Sequence, residues 1–359
     1  MNILLMTDKL ITGGAESYFC KLESNLRYDD FKIYTAAGDG ELYESLTRKE
    51  NFILISRWNH LRNIYYLRNE ICKRKIELIH ANSLRMVLYA FLLQKFIKKK
   101  IKIVYTKHNV TILEKKMPTL FRYFMNKYVN NIITVSEFEK NNLISIHVAE
   151  EKINTIYNGV DIEKFLFQQK KKESTYKIGI LARLSKEKNH QLFIKIANVL
   201  KKRDDFLFYI AGDGPEKESI MKEIEKYGLQ QSVKMLGNIS EPHEFIGNMD
   251  ALLLLSFREV FPMVVIEAMA TGTPIVSIDV GGIHEAVIDG ESGVLISEYC
   301  ESEFASALEE LQGNEEKVND IRLKAREKAV RYFSLTKMIE ETKNIYELEG
   351  VAKLINIQK

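Results

Sequence analysis

Two glutamates lie in one short stretch, Glu259 and Glu267, with seven residues between them, and each could bind hydroxyl groups of a ligand. The apolar run at residues 251–255 predicts a buried strand, and Pro262 and Gly272 predict the two ends of a helix. Glu259 then lies in the connecting loop and Glu267 about two turns further along the chain. Carboxylates accept hydrogen bonds from hydroxyls, and the N–H groups at a helix N-terminus attract anions. Two carboxylates on a helix surface are the commoner interpretation of such a pair, and the alternative hypothesis is a pocket for a polyhydroxylated, anionic ligand such as a sugar nucleotide.

Two basic side chains, Arg183 and Lys188, follow another predicted strand, at residues 177–181. A forked guanidinium and a compact ammonium both suit the oxygens of a diphosphate. Loop cations are usually solvated, but the carboxyl end of a parallel strand is where ligands bind, which favours a binding role. His108 follows the strand at residues 102–106. It is compatible with hydrogen bonding to a substrate hydroxyl, with proton transfer, and with a purely structural role.

Glycine pairs follow three of the predicted strands: Gly13 and Gly14, Gly212 and Gly214, and Gly281 and Gly282. Glycine lets a ligand approach the backbone closely, and it also suits a plain tight turn. For Gly212 and Gly214 a tight turn, with Pro215 starting a helix, is at least as good an interpretation. The dinucleotide fingerprint G-x-G-x-x-G is absent.

The elements that position these residues alternate between short apolar runs and longer stretches of helical spacing. Thirteen runs are typical of strands, at residues 2–6, 32–36, 52–55, 78–81, 102–106, 132–135, 153–157, 177–181, 207–211, 233–236, 251–255, 275–278 and 294–296. This alternation predicts parallel, doubly wound sheets. Residues 158–176 interrupt it and predict a linker.

The expected architecture is α/β, with one Rossmann-like domain at residues 1–165 and a second at residues 166–335. Residues 336–359 predict a C-terminal helix that packs back on the first domain. Because open α/β sheets bind ligands at the carboxyl ends of their strands, a shared cleft between the two domains is expected.

The composition excludes several classes of protein. The chain is 46% hydrophobic and 28% charged, so it can build cores, and its net charge of +3 argues against a nucleic-acid partner. Basic runs at residues 98–100, 170–172 and 201–203 suit either a solvated surface or weak attraction to anionic lipid. Three widely spaced cysteines indicate ordinary thiols in a reducing compartment. With no signal peptide and no membrane-spanning run, a cytoplasmic, soluble or peripheral protein is expected.

Some motifs are missing. The sequence has no Asp-x-Asp, the usual acidic clamp for a metal bound to a nucleotide diphosphate, and no G-x-S-x-G, P-loop or H-E-x-x-H. We therefore expect no metal and no cofactor. Arg183, Lys188 and helix dipoles would then stabilise a leaving diphosphate.

The ordered set of motifs resembles the retaining glycosyltransferases of family 4, of the bacterial surface-polysaccharide type. The resemblance covers essentially the whole chain. It rests on Gly-Gly-Ala-Glu at residues 13–16, His108, Asn-Gly-Val-Asp at residues 158–161, Ala-Arg-Leu-Ser-Lys-Glu-Lys-Asn at residues 182–189, Gly-Asp-Gly-Pro at residues 212–215, Glu259 with Glu267 and Glu-Ala-Met-Ala at residues 267–270, and Gly281-Gly282. It implies the GT-B fold, in which two Rossmann-like domains face a central cleft.

The resemblance also implies roles for residues. The second domain would bind a nucleotide-diphosphate sugar donor, and the first would bind the acceptor. The implied donor-binding residues are Gly13, Gly14, Arg183, Lys188, Gly212, Glu259, Phe261, Pro262, Met263, Val264 and Glu267. The implied catalytic residues are His108, Arg183, Lys188 and Glu259. Among them, Glu267 would bind the ribose and Glu259 the donor sugar, and transfer would proceed with retention and without a metal.

Several points stay open in the sequence. The family commonly has Gly where this chain has Val260, whose side chain would narrow the sugar pocket or shift the backbone. UDP-sugars are favoured as donors, although no residue identifies the base. The acceptor would be a glycan or a lipid-linked molecule at the inner face of the cell membrane, and the segment at residues 88–100 suits either an anionic membrane or a core helix. Alternative hypotheses are a GT-B epimerase and a non-catalytic relative that binds a nucleotide-sugar or scaffolds another transferase.

Overall fold

The computed structural model describes residues 1–26, 31–97, 100–170 and 174–357, with side chains described as far as residue 350. The chain divides into two compact units. The first consists of Met1–Gly159 together with Leu335–Lys359, and the second of Val160–Ser334. The boundaries predicted after residues 165 and 335 lie a few residues later than those of the structure.

The strands are β1 (Asn2–Met6), β2 (Lys32–Ala37), β3 (Phe52–Leu54), β4 (Leu78–Ala81), β5 (Lys102–Lys107), β6 (Asn131–Thr134), β7 (Ile153–Thr155), β8 (Tyr176–Leu181), β9 (Phe206–Ala211), β10 (Val233–Gly237), β11 (Ala251–Leu254), β12 (Ile275–Ile278) and β13 (Val294–Ile296). The helices are α1 (Gly14–Asn25), α2 (His60–Lys73), α3 (Leu84–Ile97), α4 (Ile112–Lys116), α5 (Pro118–Tyr128), α6 (Glu137–Ser145), α7 (His190–Val199), α8 (Lys217–Lys226), α9 (Pro242–Asn248), α10 (Met263–Thr271), α11 (Ile283–Ala286), α12 (Glu301–Gly313), α13 (Glu315–Tyr332) and α14 (Leu335–Ile357).

In its described residues, the first unit has a seven-stranded parallel sheet in the order β3-β2-β1-β4-β5-β6-β7. Its central strands are short apolar runs because both faces of the sheet are covered. On one face, α14 joins the core through Met338 and Tyr346. Lys102 Nζ on β5 also lies 2.7 Å from Glu349 Oε2 on this helix. The last helix of the chain is thus part of the first unit.

The second unit has a parallel sheet of six described strands in the order β10-β9-β8-β11-β12-β13. Phe193 on α7 and Phe304 on α12 are fully buried in its main core, which also contains Phe208 of β9. In both sheets the strand order changes direction next to the first strand of the unit, and α/β proteins bind ligands at such switch points. The doubly wound parallel architecture is therefore confirmed, and the thirteen strands of the described residues all lie within two residues of their predicted bounds.

The linker predicted at residues 158–176 contains the boundary between the two units, after Gly159, but its described residues from 160 onward pack as part of the second unit. Arg326 Nη1 donates to Phe165 O (2.7 Å), and Gln168 N donates to Thr271 O (3.1 Å). Lys170 contacts Met249 O, and burial lowers the pKa of Lys170 to about 8. Lys170 is therefore not part of a solvated basic run. Residues 171 and 172 of that run, like residues 98 and 99 of another, lie outside the described residues.

The segment at residues 88–100 is a core helix over its described part. Tyr89, Ala90 and Leu93 of α3 are buried in a core of the first unit. These side chains pack against protein, which supports the core-helix interpretation of this segment.

Candidate active site

A salt bridge between Lys188 and Glu259 lies at the centre of the candidate site in the second unit. Lys188 Nζ is 2.6 Å from Glu259 Oε1, although the two residues are 71 positions apart. Lys188 ends a 3₁₀ turn, and the left-handed Asn189 (φ 53°) then leads into α7. Glu259 lies in the loop between β11 and α10. The structure thus brings together two of the residues that the sequence predicts for one site.

The backbone of Glu259 packs directly on the glycine pair that follows β12. Gly281 has φ 63°, and a Cβ atom at this position would lie 1.8 Å from Glu259 O. The neighbouring Gly282 N donates to Val260 O (3.1 Å). Glycine is needed here because only a residue without a side chain permits both the left-handed backbone and the close approach. The Gly281-Gly282 pair therefore supports the loop that carries Glu259.

Gly212 supports the Arg183 loop in the same way. It has φ 133°, and a Cβ atom there would lie 2.1 Å from Ala182 O. Leu184 N donates to Asp213 O (3.0 Å), which ties the two loops together. Packing between loops thus explains why this position lacks a side chain. Arg183 itself is exposed, and within the described residues no carboxylate lies at ion-pairing distance from it.

Helix α10 begins one residue later than predicted, because Pro262 is its N-cap (φ −74°, ψ 132°) and Met263 its first residue. No side chain caps this N-terminus, so its first N–H groups remain available to an anionic group. Met263, Val264 and Glu267 are all partly exposed. Gly272 ends the helix in the left-handed region (φ 71°), as the sequence predicts.

Phe261 and Val260 point into the protein. Phe261 packs on Phe333 with ring centroids 5.3 Å apart, and Val260 is 8% exposed. Phe261 thus contributes to the packing of the loop. The Val260 side chain thus packs inside the second unit.

The sequence analysis missed two buried polar side chains in the same two loops. His190 is the first residue of α7, and Ser256 follows β11. Neither the ring nitrogens of His190 nor the Ser256 hydroxyl has a hydrogen-bond partner among the described residues. Burial, with a smaller contribution from the charge of Lys188, lowers the pKa of His190 to about 4. His190 is therefore neutral at physiological pH. The sequence signals were weak: Ser256 lies two residues after the end of β11, and His190 directly follows the loop that carries Arg183 and Lys188.

In the first unit, Gly13 and Gly14 lie between β1 and α1. Gly13 is the N-cap of α1 and has an extended backbone (φ 179°), so its conformation does not require glycine. Ser17 N donates to Gly13 O (2.8 Å), and the Thr12 hydroxyl donates to Glu41 Oε1 (2.8 Å). Gly14 is exposed. The loop is held in place while its glycine backbone stays accessible.

His108 follows β5, and Asn82 fixes its orientation. Asn82 Nδ2 donates to Ala15 O (2.7 Å), so its amide oxygen faces His108 Nε2 at 2.7 Å. Because that oxygen only accepts, Nε2 carries the proton and Nδ1 keeps a free lone pair. Tyr18 packs against the imidazole with ring centroids 4.8 Å apart. Burial lowers the pKa of His108 to about 3, so the imidazole is neutral at physiological pH.

Asn82 also connects two of the predicted site elements. Through Ala15 it contacts the segment that begins with Gly13, and through its amide oxygen it contacts His108. Its own backbone N–H donates to Met6 O on β1 (2.8 Å). The sequence analysis missed this residue, although it stands directly after β4, at the carboxyl end of a strand.

A buried charge cluster anchors the residue before His108. The Lys107 side chain is fully buried and contacts Glu139 on α6, while its Nζ lies 3.0 Å from Glu114 Oε2 and 3.2 Å from Asn109 O. Removing one member of such a cluster leaves an uncompensated buried charge, which is strongly destabilising. The end of β5, and hence the position of His108, is therefore rigidly held.

His80 on β4 belongs to a second buried network of the first unit. Its Nε2 atom lies 2.6 Å from Thr106 Oγ1, and its Nδ1 atom contacts the hydroxyl of Tyr346 on α14. The Thr106 hydroxyl is also 3.3 Å from the Tyr18 hydroxyl. Burial lowers the pKa of His80 to about 3.

The two doubly wound parallel sheets define the class as the GT-B fold. The crystal structure of Anabaena Alr3699/HepE in complex with UDP-glucose matches with a TM-score of 0.83 at 20% identity, over 97% of this chain and 99% of that chain. The crystal structure of a glycosyltransferase from Rickettsia africae matches with a TM-score of 0.85 at 19% identity, over 97% and 98%. At these identities the likeness establishes the fold.

The family follows from sequence comparison. The model for Glycosyltransferase Family 4 matches residues 12–164, and the model for Glycosyl transferases group 1 matches residues 161–328. The chain belongs to these glycosyltransferases and is a transferase enzyme, which confirms the resemblance.

Two curated relatives are similar to this chain. N-acetyl-alpha-D-glucosaminyl L-malate synthase of Bacillus anthracis is 26% identical over 77% of this chain and 76% of its own length. The capsular polysaccharide biosynthesis glycosyltransferase CapM of Staphylococcus aureus is 27% identical over 62% and 64%. The alignment thus spans slightly less than two thirds of CapM.

The described residues contain neither a membrane-spanning helix nor a metal-binding cluster. Among the described helices, none combines the length and apolar composition that crossing a bilayer requires. In the part of the chain that the structure describes, no three His, Cys, Asp or Glu side chains form a group able to hold a metal ion.

Proposed function

We propose that this glycosyltransferase moves a sugar from a nucleotide-diphosphate sugar, with UDP-sugars favoured, to a hydroxyl of a growing glycan or lipid-linked acceptor in surface polysaccharide synthesis. Transfer retains the anomeric configuration and uses no metal ion. The observation that carries the proposal is the Lys188–Glu259 salt bridge. Glu259 lies four residues before the start of α10, a helix whose N-terminus no side chain caps. UDP-glucose in the complex of the Anabaena protein and the name of CapM support the donor class and the product class.

The donor would be bound by groups of the second unit. Arg183, Lys188 and the first N–H groups of α10 supply positive charge for the diphosphate. Glu259 accepts hydrogen bonds from the donor sugar and keeps Lys188 in place before the donor arrives. Glu267, further along α10, accepts hydrogen bonds from the ribose. The resemblance assigns the Gly13–Gly14 loop of the first unit to the donor as well, and the glycine backbone of this loop is accessible.

The reaction needs no nucleophile from the enzyme. The acceptor oxygen forms a bond to the anomeric carbon on the face from which the phosphate departs. The bond from that carbon to the phosphate oxygen breaks, and this oxygen takes the proton of the acceptor hydroxyl as the nucleoside diphosphate leaves. His108 is neutral, and its free Nδ1 lone pair accepts a hydrogen bond from a hydroxyl of the acceptor or of the sugar. Arg183 and Lys188 stabilise the charge on the leaving diphosphate.

A thermal-shift screen tests the donor site. We expect UDP and UDP-sugars to raise the melting temperature more than GDP or ADP do, and EDTA to leave the shift unchanged. A shift that EDTA abolishes would contradict the metal-independent site. No shift with any nucleotide, in the presence and absence of glycan acceptors, would contradict donor binding altogether.

Glu267→Ala tests the ribose role. Loss of a hydrogen bond to a charged group costs roughly 1.5–3 kcal/mol, so the donor KM should rise about ten- to a hundredfold. Glu225→Ala, an exposed glutamate on α8, is the matched control and should leave the KM unchanged. Equal KM values for the two variants would remove Glu267 from this role.

The non-catalytic alternative predicts a different result. A scaffold that binds nucleotide-sugar would show the thermal shift but would release no nucleoside diphosphate when glycan or lipid-linked acceptors are supplied. Release that depends on acceptor supports transfer.

A further inference from the structure

The first unit exposes large apolar side chains where β3 leads into α2. Trp58 is 86% exposed, Leu61 83% and Tyr65 68%, and Leu54 at the end of β3 is 60% exposed. Leu61 and Tyr65 are four positions apart on α2, so they share one face of the helix. The opposite face buries Leu67 and Ile71 in the core. These side chains together with Arg57, Arg62 and Arg68 are called the Trp58 surface.

The Trp58 surface rests on a hydrogen-bonded turn. Ser56 Oγ accepts from Trp58 N (3.2 Å) and from Asn59 N (3.1 Å). The Asn59 side chain caps α2 by accepting from Arg62 N (3.0 Å). Asn63 fastens the turn to the helix, because its Oδ1 accepts from Ser56 N (2.8 Å) and its Nδ2 donates to Ser56 O (2.6 Å). The exposure of Trp58 is therefore built into an ordered turn.

Three arginines surround these apolar side chains. Arg57, Arg62 and Arg68 are all exposed, and among the described residues no carboxylate lies within ion-pairing distance of any of them. Glu70 on the same helix is already paired with Arg74 Nε (2.6 Å). A groove of about 650 Å³ that is lined by Arg57, Trp58 and Arg62 also contains Asp39, so one carboxylate stands against the three arginines. The surface therefore combines an apolar centre with an excess of positive charge.

We propose that the Trp58 surface docks the enzyme on an anionic membrane. Trp and Tyr favour the boundary between lipid headgroups and acyl chains, Leu inserts below it, and unpaired arginines bind anionic headgroups. Charge complementarity selects this occupant over a second copy of the chain, whose own Trp58 surface would carry the same positive charge. A neutral glycan acceptor would leave the three arginines uncompensated.

The location of the surface suits the proposed acceptor. Because the strands of the first sheet are parallel, the loop after β3 and His108 after β5 lie along the same edge. A lipid-linked acceptor, which rests on the proposed function, would then reach the His108 edge while its lipid stays in the bilayer. Docking itself needs no donor and is measured without nucleotide. A failure to dock is therefore distinguishable from a failure of the donor site.

Because Trp58 is the single tryptophan of the chain, its fluorescence tests membrane docking directly. We expect Trp58 emission to shift to shorter wavelength, and acrylamide quenching to fall, when vesicles of phosphatidylcholine with phosphatidylglycerol are added. Vesicles of phosphatidylcholine alone should give a much smaller change. An equal change with both vesicles, or a blue shift that follows protein concentration without lipid, would overturn the proposal.

Vesicle flotation with matched variants completes the test. Leu61→Ser should weaken binding roughly tenfold to a hundredfold, since a leucine side chain no longer leaves water. Leu323→Ser, at a leucine of α13 that is 60% exposed, is the control and should leave binding unchanged.

A charge test uses the three arginines. Replacing Arg57, Arg62 and Arg68 by glutamine should cost about fivefold in affinity for each charge removed. Replacing Lys195, Lys201 and Lys202 of the second unit by glutamine is the control with equal net charge. If both triple variants float equally well, the proposal is wrong.

Discussion

Replacing Gly281 by alanine tests whether this glycine positions Glu259, provided that the effect on activity is distinguished from the effect on stability. The new Cβ atom would lie 1.8 Å from Glu259 O, whereas Cβ contacts below 3.0 Å are essentially never observed. The Glu259 backbone must therefore move by at least about 1.2 Å. A displacement of about 1 Å at a catalytic group costs on the order of a hundredfold in rate. We expect kcat/KM for donor to fall by about this factor.

The same substitution also strains the backbone, so it needs a control. Gly281 has φ 63°, and an alanine in this left-handed region costs about 1–2 kcal/mol. Gly290 has φ 71° and no atom within 4 Å of its would-be Cβ. Gly290→Ala therefore carries the conformational cost without the clash, and its turnover should stay near that of the wild type.

The assay is release of nucleoside diphosphate, with thermal unfolding measured in parallel. Both variants should melt at lower temperature than the wild type, and Gly281→Ala at the lower of the two temperatures. Only Gly281→Ala should lose turnover at a temperature where all three proteins are folded. If the two alanine variants turned over equally, the reasoning that the glycine pair positions Glu259 would be refuted.

Three other perturbations have definite outcomes. Asn82→Asp places a carboxylate beside His108 and should raise the pKa of this imidazole. His108 would then become protonated above pH 4, so the rate should fall at acidic pH where the wild-type rate does not. An unchanged pH–rate profile would contradict the Asn82–His108 contact. His80 has a folded-state pKa of about 3 against an ordinary 6.5, so its contribution to stability is complete above pH 6.5 and is lost as the pH falls towards 3. The loss should reach about 2 kcal/mol at pH 5, and His80→Gln should flatten this slope in melting curves. Lys188→Met should abolish the thermal shift with UDP, whereas Lys186→Met on the same turn should keep it.

The sequence predicted the framework well because local patterns encode it. The strand at residues 251–255 is apolar because both faces of a parallel strand are covered, and the left-handed Gly272 ends α10 where a glycine was available. The first residue of α10 was harder to predict, since proline is favourable both as the N-cap and as the first residue of a helix, and Pro262 is the N-cap. The packing of residues 160–170 on the second unit was not predictable from their irregular composition.

The site was predicted residue by residue but not as a set of contacts. The lysine and glutamate of the salt bridge were both selected, but their pairing across 71 positions leaves no local pattern. Glycine motifs indicate that something approaches the backbone closely. Sequence alone does not say whether this is a ligand or another loop, and for Gly212 and Gly281 it is another loop. Asn82 was missed for a related reason, because its two partners come from separate segments.

The return of α14 to the first unit has a consequence for biosynthesis. A ribosome produces the strands of the first sheet early, but it produces the helix that covers part of that sheet only after the whole second unit has been made. Until then, the apolar core surface that packs against Met338 and Tyr346 is uncovered, and His80 lacks the Tyr346 hydroxyl as a partner. The unit that is synthesised later is therefore the first that can fold to completion. Chains interrupted before α14 would expose an apolar surface and depend on chaperones.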